Sequence, residues 1–138
     1  MTSVVWFKRD LRVRDHPALA RAAALGPVIP LYVFEPSYWA EPDVSGRQFD
    51  FVCESVASLG DALDRLGVPL AVRVGELCDV LAELHAEVGF DRVISHEETG
   101  SAWTYSLDRA VAAWCGANGV RWEELAQSGV VRRLNGRD

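Results

Sequence analysis

The stretch from Val4 to Phe34, VVWFKRDLRVRDHPALARAAALGPVIPLYVF, carries the architecture of the chain in miniature. Val4 to Phe7 is a compact apolar run of strand length. A polar segment follows, in which Asp15 is placed to cap a helix whose first turn holds Pro17, a position where the missing N–H costs nothing. Ala18 to Leu25 is strongly helix-forming, and Gly26-Pro27 stops it. Val28 to Phe34 is a second strand, apolar on both faces as buried parallel strands are. Pro30 lies inside it and predicts that its first half pairs poorly.

The same alternation continues outward. Glu35 to Val44 reads as a loop rich in proline and aromatic residues. Ser45 opens a capping box with Gln48, and Val52, Val56, Leu59, Leu63 and Leu66 follow at helical spacing until Gly67. Leu70 to Val74 is a third strand, and Glu76 to Val88 is a helix with Leu77, Val80, Leu81, Leu84 and Val88 on one side and Gly89 at its end. Arg92 to Ser95 is a fourth strand, His96 to Ala102 a polar loop, and Thr104 to Asn118 a helix with Leu107, Val111 and Trp114 inward. Val120 to Leu125 makes the fifth strand. The order βαβαβαβαβ predicts an α/β fold: a five-stranded parallel sheet, doubly wound, in a Rossmann-like or flavodoxin-like three-layer α/β/α arrangement. Ligands of such sheets sit beyond the carboxyl ends of the strands. That selects the loops at Lys8 to Asp15, Glu35 to Val44, Gly75 and His96 to Trp103.

At 138 residues the chain has room for one core. No apolar run reaches the roughly 18–20 residues that span a membrane, and the N-terminus lacks a basic segment followed by a long apolar one. The chain therefore reads as cytoplasmic, with no membrane partner. Three cysteines, Cys53, Cys78 and Cys115, are widely spaced and suit neither a disulfide scaffold nor a zinc site. A net charge of -6 disfavours a stand-alone nucleic-acid binder. The basic residues gather at the two ends: Lys8, Arg9, Arg12, Arg14 and Arg21 near the start, and Arg121, Arg132, Arg133 and Arg137 near the finish. Either both ends are solvated, or both face a partner or a further part of the same protein.

A nucleotide site is the default for this architecture, yet the loop after the first strand has no glycine. No G-x-G-x-x-G follows that strand, and no G-x-x-x-x-G-K-[ST] occurs anywhere, so a phosphate lacks its usual close backbone approach.

What that loop does carry is Trp6-Phe7-Lys8-Arg9-Asp10-Leu11-Arg12, followed by Asp15-His16-Pro17-Ala18-Leu19. This resembles the opening of the DNA photolyase/cryptochrome family, where a strand ending in Trp-Phe runs into Arg-x-Asp-Leu-Arg and then Asp-Asn-x-Ala-Leu. Lys8 stands where arginine is commoner and His16 where asparagine is commoner. Tyr32-Val33-Phe34-Glu35-Pro36, Arg47, Phe51 and Gly67-Val68-Pro69-Leu70 extend the resemblance over most of the chain. It implies that residues 1–125 form the N-terminal α/β domain of such a protein and that 126–138 begin an interdomain linker. It also implies FAD in a helical C-terminal domain not included in this chain, so no residue here is expected to be catalytic. Its own C-terminal FAD domain is then the expected partner, with ultraviolet-damaged DNA met only through the complete protein. A second, light-harvesting chromophore is implied in or beside the α/β domain.

Candidate residues for that chromophore are Arg9 and Asp10 after the first strand, Phe34 and Glu35 after the second, Arg47 and Phe51 on the second long helix, and Glu97, Glu98 and Trp103 after the fourth strand. A planar, polar-edged ring wants aromatic faces, here Phe34, Phe51 and Trp103, and donors or acceptors at its rim. Each residue has a blander role available. Asp10 and Arg12 can form an ion pair that fixes the loop, Phe34 and Phe51 can be core, and Glu97 and Glu98 can be solvated. Asp15 is expected only as a cap, and His16 as an exposed residue with no metal role. Folate-binding members resemble one another in an Asn-Glu pair near the place that Trp103-Thr104 takes here. That favours a flavin, deazaflavin or lumazine over folate. Three functions stay open: the antenna-type domain of a photolyase that uses light and FAD to split cyclobutane pyrimidine dimers, the same domain of a cryptochrome photoreceptor, and a stand-alone α/β binding module.

Overall fold

The computed structural model describes residues 1–40, 46–98, 101–126 and 131–132. Its elements, in chain order, are β1 (Ser3–Phe7), α1 (Pro17–Leu25), β2 (Val28–Phe34), α2 (Pro36–Trp39), α3 (Gly46–Arg65), β3 (Ala71–Val74), α4 (Leu77–Val88), β4 (Arg92–His96), α5 (Ala102–Ala117), β5 (Arg121–Leu125) and β6 (Val131–Arg132). The strands lie in the order β3-β2-β1-β4-β5-β6. The first five are parallel, as the alternation predicts, and β6 adds two antiparallel residues beyond β5.

Strand alternation sorts the core into two layers. Val4, Trp6, Leu31, Val33, Val93 and Trp122 point to one face, where α4 brings Leu77, Val80, Leu81 and Leu84 and α5 brings Val111 and Cys115. Val5, Phe7, Tyr32, Ile94 and Leu125 point to the other, against Ala18 and Ala22 of α1 and Val56, Leu59 and Leu63 of α3. The small alanines of α1 allow that short helix to approach the sheet closely. The winding reverses between β1 and β4, so a crevice opens at their carboxyl ends.

Several local expectations change. His16, not Asp15, caps α1: its ring accepts the Leu19 N–H, while Asp15 takes a positive φ of 48°. The Glu35–Val44 loop contains α2, opened by Pro36 at a helix position that needs no N–H. The fourth strand runs on to include His96, which is buried rather than in a polar loop. Leu66 and Val88 fit their helical patterns but are exposed, Leu66 just past the end of α3 and Val88 as the last residue of α4. Pro30 causes no break with β1, where it registers with Val5. Pairing with β3 begins only at Leu31, so the prolyl residue lies before the second neighbour starts. Gly26 shows why the stop after α1 must be glycine: its φ is 142°, and a Cβ there would lie 2.7 Å from the Met1 carbonyl oxygen. Ser45 and its capping box fall outside the described residues, as does most of the expected linker. No described helix is long and apolar enough to cross a membrane.

At the amino ends of the strands the charges close on each other. Arg21 holds both carboxylate oxygens of Glu123, at 2.9 and 3.3 Å, and Arg92 pairs with the same carboxylate.

Candidate functional site

Past the last paired residues of β1, the chain divides its polar side chains between two environments. Lys8 and Arg9 turn toward the crevice, whereas Asp10 is buried under α1. One Asp10 oxygen accepts the Lys8 N–H at 2.7 Å. The other accepts from His16 Nε2 and from His96 Nδ1, both at 2.7 Å. The remaining nitrogens of these rings accept backbone N–H groups, Leu19 onto His16 Nδ1 at 3.0 Å and Ala18 onto His96 Nε2 at 3.2 Å. The backbone donors therefore fix both tautomers: His16 carries its proton on Nε2 and His96 on Nδ1. Burial alone would raise the Asp10 pKa, but the two imidazole donors and the Lys8 N–H outweigh it and hold the carboxyl well below the usual range.

The three residues offer ligand atoms within 4.8 Å of one another, a spacing a metal ion could use. The hydrogen bonds argue otherwise, since each histidine lone pair is already taken by a helix N–H. The cluster is a clasp that ties the β1 loop, the start of α1 and the end of β4 together. His16 is buried for this reason, contrary to its expected exposure. The expected Asp10–Arg12 ion pair is replaced too. Arg12 instead donates to the carbonyls of Arg14 and Asp15, each at 3.0 Å, which holds the loop in its turn.

The crevice itself is a cavity of about 420 Å³, within the ordinary range for a small-molecule site. Trp6, Phe7, Tyr32 and Val33 form its floor, Gln48, Phe51, Val52 and Ser55 of α3 one wall, and Trp103, Thr104 and Leu107 of α5 the other. Tyr38 and Trp39 of α2 stand over it, with Tyr38 packed edge-to-face on Trp39 and tilted against Trp103, ring centroids 4.9 Å apart in both cases. Arg9 joins the mouth together, its Nε 2.9 Å from Glu98 and its Nη2 3.5 Å from the Tyr38 hydroxyl.

Two ionisable groups belong to the interior. Glu35 is buried, and one of its oxygens accepts the Leu77 N–H at 3.1 Å, so it caps α4 from a different strand. Burial outweighs that bond and raises its pKa to about 7. The Lys8 ammonium lies 4.3 Å above the Trp6 ring and 4.0 Å from a Glu124 oxygen, with its side chain almost wholly buried.

Of the candidates marked in the sequence, Arg9, Glu35, Phe51, Glu98 and Trp103 line this cavity. Trp103 does so from the second residue of α5, because Ser101 caps the helix through the Thr104 N–H and starts it two residues earlier than expected. Phe51, offered as possible core, is 69% exposed at the rim. The other four lie elsewhere. Asp10 serves the clasp. Phe34 lies on the α3 side of the sheet, packed on Tyr32 and Phe49. Arg47 is exposed on the first turn of α3. Glu97 extends the β4–β5 ladder through its N–H to the Leu125 carbonyl. Tyr38, Trp39 and Lys8 were not among the candidates, although the aromatic richness of the Glu35–Val44 segment was the available signal for the first two.

Comparison with known proteins agrees with this fold. The chain is 42% identical over 98 residues to a cryptochrome DASH of Natronomonas pharaonis, covering 67% of the chain and 21% of that protein. It is 37% identical over 108 residues to a deoxyribodipyrimidine photo-lyase of Agrobacterium fabrum, covering 75% and 22%. Among solved structures, an archaeal photolyase from Sulfolobus tokodaii superposes with a TM-score of 0.81 at 27% identity, over 90% of this chain and 29% of that one. That protein was solved with two FAD molecules and implicates a novel light-harvesting cofactor. The chain thus spans about a fifth of the length of the curated relatives it matches. The DNA photolyase family model matches residues 3–133, and the chain belongs to that family.

Proposed function

We propose that this chain is the N-terminal, light-harvesting-type domain of a deoxyribodipyrimidine photolyase, and that its cavity holds a planar antenna chromophore. The observation that carries the reading is the cavity at the carboxyl ends of β1, β2 and β4. Its indole and phenol faces suit a flat ring, and its few polar groups suit the ring's edges. A flavin, deazaflavin or lumazine fits the proposal better than folate. The chemistry supplied by a bound ring is absorption of near-ultraviolet or blue light. The chain's residues bind and orient it: Trp103 gives a face, Tyr38 and Trp39 shield it from water, and Arg9 and Glu98 close the mouth.

In the complete protein, FAD in a further domain would use light to split cyclobutane pyrimidine dimers. Damaged DNA would be met by that domain, consistent with the net charge of -6 on this one. The match to a cryptochrome DASH supports a second reading, a photoreceptor built on the same domain. Repair of dimer-containing DNA by the full-length protein under blue light separates the two.

The cavity is tested by incubating the purified chain with flavin, deazaflavin, lumazine and folate candidates, desalting, and recording absorbance from 300 to 500 nm. One chromophore is expected to remain, and to be lost from Trp103→Ala. Retention of none by the wild type contradicts the reading.

A further inference from the structure

Every polar group of the clasp is satisfied, but one cation at the cavity is not. The Lys8 ammonium has its side chain at 7% exposure, and its Nζ makes no hydrogen bond among the described residues. Its neighbours are the Trp6 ring face and a Glu124 carboxylate at the 4.0 Å limit of an ion pair. Buried donors are nearly always paired, and three ammonium protons left without an acceptor cost more than those of a solvated lysine. Lys8 also lines the cavity, on the same face as the Trp6 ring that forms part of its floor. A group entering the cavity can supply the missing acceptor without disturbing the sheet.

We propose that Lys8 is a specificity-determining residue of the cavity, selecting a heteroaromatic ring that presents a carbonyl-rich, imide-type edge over one that presents an amino edge. The inference rests on the chromophore reading above and deepens it. The chemistry follows from donor and acceptor counting. An ammonium offers donors only, so it rewards a C=O or an anionic ring nitrogen and is opposed by an exocyclic amino group, which is itself a donor. Trp6 beneath it holds the ammonium over its π face at the floor of the cavity. Glu35, buried on the same side of the sheet with its pKa raised, adds a carboxyl that can donate as well as accept. Together they match the alternating C=O, N–H, C=O pattern of a flavin or lumazine edge.

Lumazine and pterin make the discriminating pair, because they differ in carrying C=O or C–NH2 at a single ring position. Binding of 6,7-dimethyllumazine and of 6,7-dimethylpterin would be measured by fluorescence titration on the wild type, Lys8→Met and Lys8→Arg, with riboflavin as the reference ring. Circular dichroism and thermal unfolding would establish that each variant is folded. The wild type is expected to prefer lumazine by roughly ten- to a hundred-fold, the worth of one charge-assisted hydrogen bond. Lys8→Met should lose most of that preference while still binding riboflavin weakly, and Lys8→Arg should retain it. A folded Lys8→Met with the wild-type ratio overturns the proposal and leaves Lys8 as a partner of Glu124 alone. A wild type that binds none of the three rings overturns the chromophore reading, and this proposal with it.

Discussion

Arg9 and Asp10 are adjacent in the chain and belong to opposite kinds of environment. Asp10 and its two histidines form a cluster in which each ring nitrogen and both carboxylate oxygens have a partner. On the other side, Arg9 reaches over a cavity whose aromatic walls enclose open space and whose Lys8 ammonium lacks a hydrogen bond among the described residues. Both regions are dense in residue types associated with function. The difference lies in saturation: a closed hydrogen-bond network specifies one arrangement of the backbone, whereas an unsatisfied group in a cavity has something left to bind. By that criterion the histidine cluster is structural and the crevice is the proposed site.

The largest expected effect comes from opening the closed cluster. Asp10→Ala leaves two imidazole N–H groups and the Lys8 N–H without an acceptor. It should destabilise the fold by about 3–5 kcal/mol, read from the urea midpoint. A loss below about 1 kcal/mol would show that the cluster is not a clasp.

Glu35 sharpens the contrast from the cavity side through pH. Its folded pKa, raised to about 7, exceeds its unfolded value, so the folded state holds the proton more tightly. The unfolded state binds fewer protons in that window, and stability falls as pH rises from about 5 to 8, by roughly 2 kcal/mol. Glu35→Gln should flatten that slope in melting curves across the same range. An unchanged slope would place the titration elsewhere.

His16→Asn separates capping from clasping. Asparagine can still cap α1, but its shorter side chain does not span to Asp10, so a loss of about 1–2 kcal/mol is expected. A full-sized loss like that of Asp10→Ala would mean that the cap and the clasp are inseparable. The smallest effect belongs to the mouth. Arg9→Ala removes an exposed ion pair with Glu98 and should change stability by less than about 1 kcal/mol, in the same urea experiment.

The fold was legible because each element carries a local signature. The apolar runs at 4–7 and 28–34 and the helical spacing of Val56, Leu59 and Leu63 all report burial that the sheet then supplies. The site was legible in part. Arg9, Glu35 and Glu98 follow closely after strands and Trp103 opens the helix after β4, so topology carries them to the crevice. His16 was misread because its partner His96 lies 80 positions away and reaches it only through the β1–β4 pairing. Asp15 was misread because Asp and His each satisfy a capping pattern before Pro17, and the choice depends on a positive φ that only the folded loop reveals. Lys8 was visible as a departure from the family's arginine, but its lack of a hydrogen-bond partner among the described residues is a property of packing and not of sequence.

The distinction between closed cluster and open cavity is tested most directly by a two-dimensional 1H–15N spectrum recorded with and without riboflavin. The chain has five tryptophans, so five indole N–H signals report from known places. Trp6, Trp39 and Trp103 line the cavity, whereas Trp114 packs against the core and Trp122 is buried with its indole N–H bonded to Ser95. Shifts are expected at the first three, with Trp114 and the His16 and His96 ring signals unmoved. Shifts at the histidines, or none at Trp6, Trp39 and Trp103, would contradict it.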